Sequence, residues 1–131
     1  MARPRHENPT PAELEVLQVI WDRGPSTVRE VMEALNAARP RAYTSVMSLM
    51  NVMVEKDLLT QTPKGKAYVY SARVSRTRAQ SRMVRDLLGR VFDGSASTLV
   101  THLLEQASPD QKELDEIRRT ITEFTQRKRG A

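Results

Sequence analysis

The chain has 131 residues, 39% hydrophobic and 28% charged, with a net charge of +5 and no cysteine. That balance suits a globular protein rather than a disordered one, and it excludes disulfides and thiolate metal sites. A basic surface attracts phosphates, anionic lipid or acidic proteins, and no apolar run approaches the roughly 18 residues of a membrane span.

Residues 1–9 carry two Pro and two Arg (Arg3 and Arg5) without apolar periodicity. They read as an arm able to track phosphates, and they hold no apolar segment of the kind a signal peptide needs. A cytoplasmic location is expected. Thr10-Pro11-Ala12-Glu13 is a helix start, with a capping Thr, a first-turn Pro and a box-closing Glu. Leu14, Val16, Leu17, Ile20 and Trp21 form its apolar stripe, with Trp21 expected to pack this helix on the hairpin, and Gly24-Pro25 stops it. Thr27-Val28-Arg29-Glu30 is a second capping box. It opens a helix with Val28, Val31, Met32 and Leu35 on one side, broken at residues 37–41.

A third helix is expected from about Tyr43 to Lys56. Val46, Leu49, Met50 and Met53 lie at i, i+3, i+4 and i+7 and define its buried face. The opposite face is Thr44, Ser48, Asn51 and Glu55, all but the last short and uncharged. Solvated helix faces usually carry Lys and Glu, whereas short side chains let a helix sink into a major groove about 12 Å wide. Strands at Leu58–Thr62 and Lys66–Ser71 flank a turn at Pro63-Lys64-Gly65. Helix, helix, helix, hairpin is the order of a winged helix-turn-helix. From residue 39 to 73 there are six Lys or Arg against two acids.

On this reading Tyr43, Thr44, Ser45, Met47, Ser48 and Asn51 face DNA, Arg41 flanks them, and Lys64 and Lys66 reach the backbone from the wing. Asn51 can pair bidentately with adenine. Its replacement by Ala is expected to leave folding stability nearly intact. Tyr43 serves equally well as a core residue.

From residue 74 the chain is helical again. Arg76 to Phe92 carries Met83, Leu87 and Val91 in one apolar row. Arg78, Arg82 and Arg85 fall at i, i+4 and i+7, a face that reads either as solvated or as close to phosphates. Asp93-Gly94 ends the helix. A short helix starting at Ser95 or Ser97 carries Leu99, Val100, Leu103 and Leu104. Ser108-Pro109-Asp110-Gln111 is a further capping-box-like start, and Leu114, Ile117, Ile121 and Phe124 form a narrow seam ahead of a basic tail. Three apolar helices in fewer than sixty residues cannot bury their faces alone, and a symmetric dimer is the commonest remedy. The expected architecture is mostly α: a winged-helix domain at residues 7–73 and a helical dimerisation domain at 74–127. The dimer face comprises Met83, Leu87, Val91, Leu99, Leu103, Leu114, Ile117, Ile121 and Phe124.

His6 and His102 have no ligand-spaced companions, so no metal is expected. No nucleophile triad, Gly-rich phosphate loop or paired carboxylates stand out, so neither a cofactor nor an enzymatic activity is expected.

Four segments, TPAELEVLQVIWDRGPSTVREVMEALN, AYTSVMSLMNVMVEKDLL, GKAYVYSARVSR and VFDGSASTLVTHLLE, resemble the penicillinase-repressor family, the BlaI/MecI group related to copper-responsive CopY repressors. The resemblance spans residues 10 to about 125. It implies a homodimeric winged-helix repressor of palindromic operators before antibiotic-resistance or stress genes. It also implies a membrane sensor protease pathway that ends in cleavage within the C-terminal helices. Three departures stand out. Val52 replaces an Arg common in relatives. His102-Leu103 stands where the antibiotic-responsive branch has its cleaved Asn-Phe bond. The absence of cysteine excludes thiolate copper sensing. The rival readings are a small-molecule-responsive regulator and a winged helix used for protein interaction.

Overall fold

The computed structural model describes residues 8–130. Arg3, Arg5 and His6 of the expected arm, and residue 7 at the expected domain start, lie outside the described residues. Within them the order is α1 (Pro11–Arg23), α2 (Val28–Asn36), α3 (Tyr43–Glu55), β1 (Leu59–Lys64), β2 (Ala67–Ala72), α4 (Arg76–Arg90), α5 (Ala96–Ala107) and α6 (Gln111–Gly130). The N-terminal part is the winged helix-turn-helix that the sequence order predicts.

Local chemistry sets the ends of α1 and α2. The Thr10 hydroxyl accepts from the Glu13 amide at 3.2 Å, and the Glu13 carboxylate accepts from the Thr10 amide at 2.9 Å. Thr27 and Glu30 repeat both bonds at the same lengths. Each cap is worth about 1 kcal/mol. Gly24 ends α1 at φ 90°, a left-handed value that a side chain would resist.

The apolar rows then meet in one core. Val16, Leu17 and Ile20 of α1, Val28, Val31 and Leu35 of α2, and Val46, Met50 and Met53 of α3 are buried there with Leu58, Leu59 and Tyr70. Each such side chain contributes roughly 1.5–3 kcal/mol. β1 and β2 pair antiparallel from Leu59 opposite Ala72 to Lys64 opposite Ala67. Ser26, in the link between α1 and α2, exchanges two backbone hydrogen bonds with Tyr70, at 2.8 and 3.0 Å. The wing is thereby stitched to the helices.

Several expectations need correction. The hairpin turn is Gly65-Lys66, not Pro63-Lys64-Gly65, because β1 continues through Pro63 and Lys64. Pro63 sits in a strand with only one partner, where its missing N–H costs little. Gly65 at φ 63° supplies the positive φ that two-residue hairpin loops require. Trp21 packs against the core cluster that includes Leu59 and Tyr70 of the hairpin, and it does more. Its indole N–H donates to the Val74 carbonyl at 2.9 Å, and the Arg76 guanidinium lies over its ring at 5.6 Å, so it ties α1 to the start of α4. α4 ends at Arg90 rather than Phe92, and the Gly94 amide bonds back to the Leu88 carbonyl at 2.8 Å. Ser108 does not cap α6. It closes α5 in the left-handed conformation, and the Asp110 carboxylate instead accepts from the Glu113 amide at 2.9 Å. The basic tail continues α6 through Gly130, where Arg127, Lys128 and Arg129 suit the negative end of the helix dipole.

One compact unit ends at Arg85 and a second begins at Asp86. The first extends past residue 73 because Val74 and Ala79 are buried in its core. In the second unit no residue of α5 or α6 is buried.

Candidate nucleic-acid interface

α3 is two-sided. Val46, Met50 and Met53 are at most 2% exposed. On the outer side Tyr43, Thr44, Ser45, Met47, Ser48, Asn51 and Val52 are all exposed. A helix with one row anchored in the core and a row of short polar and thioether side chains facing out can enter a groove. Tyr43 is thus not a core residue. Ala42 precedes α3 and offers no side-chain cap, unlike Thr10 and Thr27. The first-turn amides of α3 therefore keep their hydrogen-bonding capacity for an anion.

Arg41 departs from expectation. Its side chain is only 12% exposed. One guanidinium nitrogen donates to the Leu35 carbonyl at 3.0 Å and another to the Glu15 carboxylate at 2.6 Å. The residue braces the α2–α3 turn, its guanidinium already engaged within the fold. Arg39 keeps only a 3.7 Å approach to Glu15 and is exposed. A cavity of about 300 Å³ opens beside these residues, lined also by Leu35, Val46 and Leu49.

Lys64 ends β1 and Lys66 lies in the turn, and both are exposed. Neither forms an ion pair among the described residues. Glu30 has a lowered pKa, chiefly through its capping bonds with Thr27, with the charges of Arg23 and Lys64 adding to the effect. Just before and along α4 the basic residues divide. Arg73, Arg76 and Arg90 pair with Asp57, Asp22 and Asp86. Arg78, Arg82 and Arg85 form no ion pair among the described residues.

Two arrangements escaped the sequence reading. Glu13 was legible as a cap, yet it lies at i−3, i−4 and i−7 from Val16, Leu17 and Ile20, on the apolar face. It is buried, and Lys56 donates to both of its carboxylate oxygens. Burial raises its pKa, but the bonds from Lys56 and Thr10 outweigh burial and leave it lowered. Asn51, chosen for its outward position, also accepts from the Tyr70 hydroxyl at 3.1 Å.

In the helical arm, Leu87, Val91, Leu103, Ile121 and Phe124 are exposed, the last two by 56% and 59%. Met83, Leu99, Leu114 and Ile117 are half-buried. His102 is exposed and its ring meets Phe92 at 5.4 Å. No helix is long and apolar enough to cross a membrane among the described residues. No cluster of three His, Asp or Glu side chains suited to a metal occurs among them.

The penicillinase repressor family model matches residues 9–123. The transcriptional regulator BlaI of Mycobacterium tuberculosis is 34% identical over 114 residues, covering 86% of this chain and 81% of that protein. The penicillinase repressor of Bacillus licheniformis is 23% identical over 118 residues, covering 90% and 92%. A solution structure of the monomeric form of Bacillus licheniformis BlaI with the blaP half-operator is similar at 18% identity and a TM-score of 0.43, over 60% of this chain and 87% of that one. The match over nearly all of the described residues, with a relative above 30% identity, places the protein: this chain belongs to the penicillinase-repressor family.

Proposed function

We propose that the protein represses transcription as a homodimer on a palindromic operator, with α3 in the major groove of each half-site. The observation that carries this reading is the two-sided α3, apolar and buried within, short and polar without. Tyr43, Thr44, Ser45, Met47, Ser48 and Asn51 form the reading face, and Lys64 and Lys66 meet the flanking backbone. Residues 74–127 supply the dimer through Met83, Leu87, Val91, Leu99, Leu103, Leu114, Ile117, Ile121 and Phe124, of which Leu87, Val91, Leu103, Ile121 and Phe124 leave exposed apolar area for a second copy to cover. Repression follows from occupying a promoter and excluding polymerase, at resistance or stress genes, in the cytoplasm where that DNA is found. Derepression follows from losing the dimer or the grip on DNA. No catalytic role enters this reading.

The test is a binding titration of the full chain against operator and scrambled duplexes. Ser48→Lys adds positive charge but props α3 out of the groove, so operator affinity should fall despite the added charge. Unchanged operator binding by Ser48→Lys excludes α3 as the reading head.

A further inference from the structure

The outer face of α3 and the wing are joined by a directed polar relay. Gln61 Nε2 donates to the Tyr70 hydroxyl at 2.9 Å, and that hydroxyl donates to Asn51 Oδ1 at 3.1 Å. A hydroxyl carries one proton. With the Gln61 amide nitrogen turned to the Tyr70 oxygen, the Tyr70 proton is directed to Asn51. Tyr70 is well placed to enforce this. It is 2% exposed, its backbone is clamped on Ser26, and it sits directly opposite Gln61 in the hairpin register. Asn51 itself is exposed, and its Nδ2 makes no hydrogen bond among the described residues.

We propose that Tyr70 is a positioning residue that fixes the Asn51 amide with Nδ2 outward, so that Asn51 reads a hydrogen-bond acceptor on a base edge. This deepens the proposed function and rests on α3 lying in the groove. An amide free to rotate pairs with adenine, accepting from N6 and donating to N7. Oδ1 keeps a second lone pair, but its bond to Tyr70 turns it toward the wing and leaves Nδ2 as the outward group. Guanine offers two adjacent acceptors, O6 and N7, whereas the adenine N6 amine opposes an amide N–H. The preferred base opposite Asn51 is therefore guanine. The relay also couples wing to helix, since Gln61 lies on β1, so the wing takes part in base choice without touching the base.

The experiment selects duplexes from a randomised pool with the full chain and reads base frequencies at each operator position. Asn51→Ala marks the position by relaxing it. There the wild type should favour guanine over adenine by roughly tenfold, the order of one good base-edge contact. Tyr70→Phe keeps the ring in the core and releases the amide, so this ratio should collapse towards unity at that position alone. Affinity for scrambled DNA should not change, a pattern that mere structural damage does not produce. Asn51→Asp keeps an acceptor for Tyr70 and presents a second acceptor outward, so the preference should move to cytosine, whose N4 donates. This variant tests the idea even if Tyr70→Phe folds poorly. A wild-type preference for adenine, cytosine or thymine at the marked position overturns the proposal, as does an unaltered guanine preference in Tyr70→Phe. If the pool yields sequence selection that Asn51→Ala, Ser48→Lys and Tyr70→Phe all leave intact, the reading role of α3 itself is lost along with the relay.

Discussion

The ammonium of Lys56 lies 2.9 Å and 2.8 Å from the two carboxylate oxygens of Glu13, joining the end of α3 to the first turn of α1. Both side chains are nearly enclosed, at 13% and 3% exposure. Glu13 also closes the α1 capping box, so one carboxylate serves a helix start and a helix-to-helix tie. Removing one member of such a pair leaves the other buried without compensation. Lys56→Met should destabilise the protein by about 3–5 kcal/mol, read from a denaturant melt. Glu13→Gln combined with Lys56→Met should recover part of that loss.

The same pair sets a pH dependence. The folded-state pKa of Glu13 is lowered, so its contribution is complete above the ordinary glutamate value of about 4.3. It fades as pH falls through the lower folded-state value. The melting-temperature gap between wild type and Glu13→Gln should be widest near neutrality and shrink on acidification below about pH 4.5. A gap that widens in acid contradicts the lowered pKa.

Lys64→Ala and Lys66→Ala should weaken binding to operator and scrambled DNA about equally. Each neutralised phosphate contributes about 0.9 to the slope of log affinity against log salt. Each substitution should therefore flatten that slope by about one unit. A slope indifferent to both removes the wing from the DNA interface.

Ile121→Asp places a charge in the α6 seam, costing several kcal/mol of association if two copies bury it. Sedimentation should show monomer where the wild type shows dimer. Ile121 is 56% exposed within one chain, so the fold of the N-terminal unit should survive. A tight Ile121→Asp dimer moves the interface elsewhere.

Asn51→Ala carries a stability cost that its outward position does not suggest. The Tyr70 hydroxyl loses its acceptor, a cost of about 1–3 kcal/mol if water cannot replace it. Met50→Asp, with Met50 fully buried, should by contrast unfold the domain, while Ser48→Lys leaves the unfolding free energy within about 0.5 kcal/mol of wild type. Circular-dichroism melts of the three variants separate these outcomes.

What the sequence determined by itself was local. Thr10 and Thr27 cap their helices through residues three positions away, Gly24 and Gly94 end helices by tolerating positive φ, and the spacing of Val46, Met50 and Met53 orients α3. All of this is encoded within one or two turns of chain, so periodicity and cap chemistry suffice to read it. The tertiary structure decided what lies between distant segments. Arg41 turns inward because Glu15 and the Leu35 carbonyl converge on it. Lys56 meets Glu13 across 43 residues of chain, and Trp21 finds the Val74 carbonyl across 53. Asn51 gains a partner only because Ser26 and Gln61 hold Tyr70 beside it. A polar side chain on an outward position has the same pattern in sequence whether or not it has a partner. Only the packing that brings the wing against α3 distinguishes an amide free to rotate from one that is held.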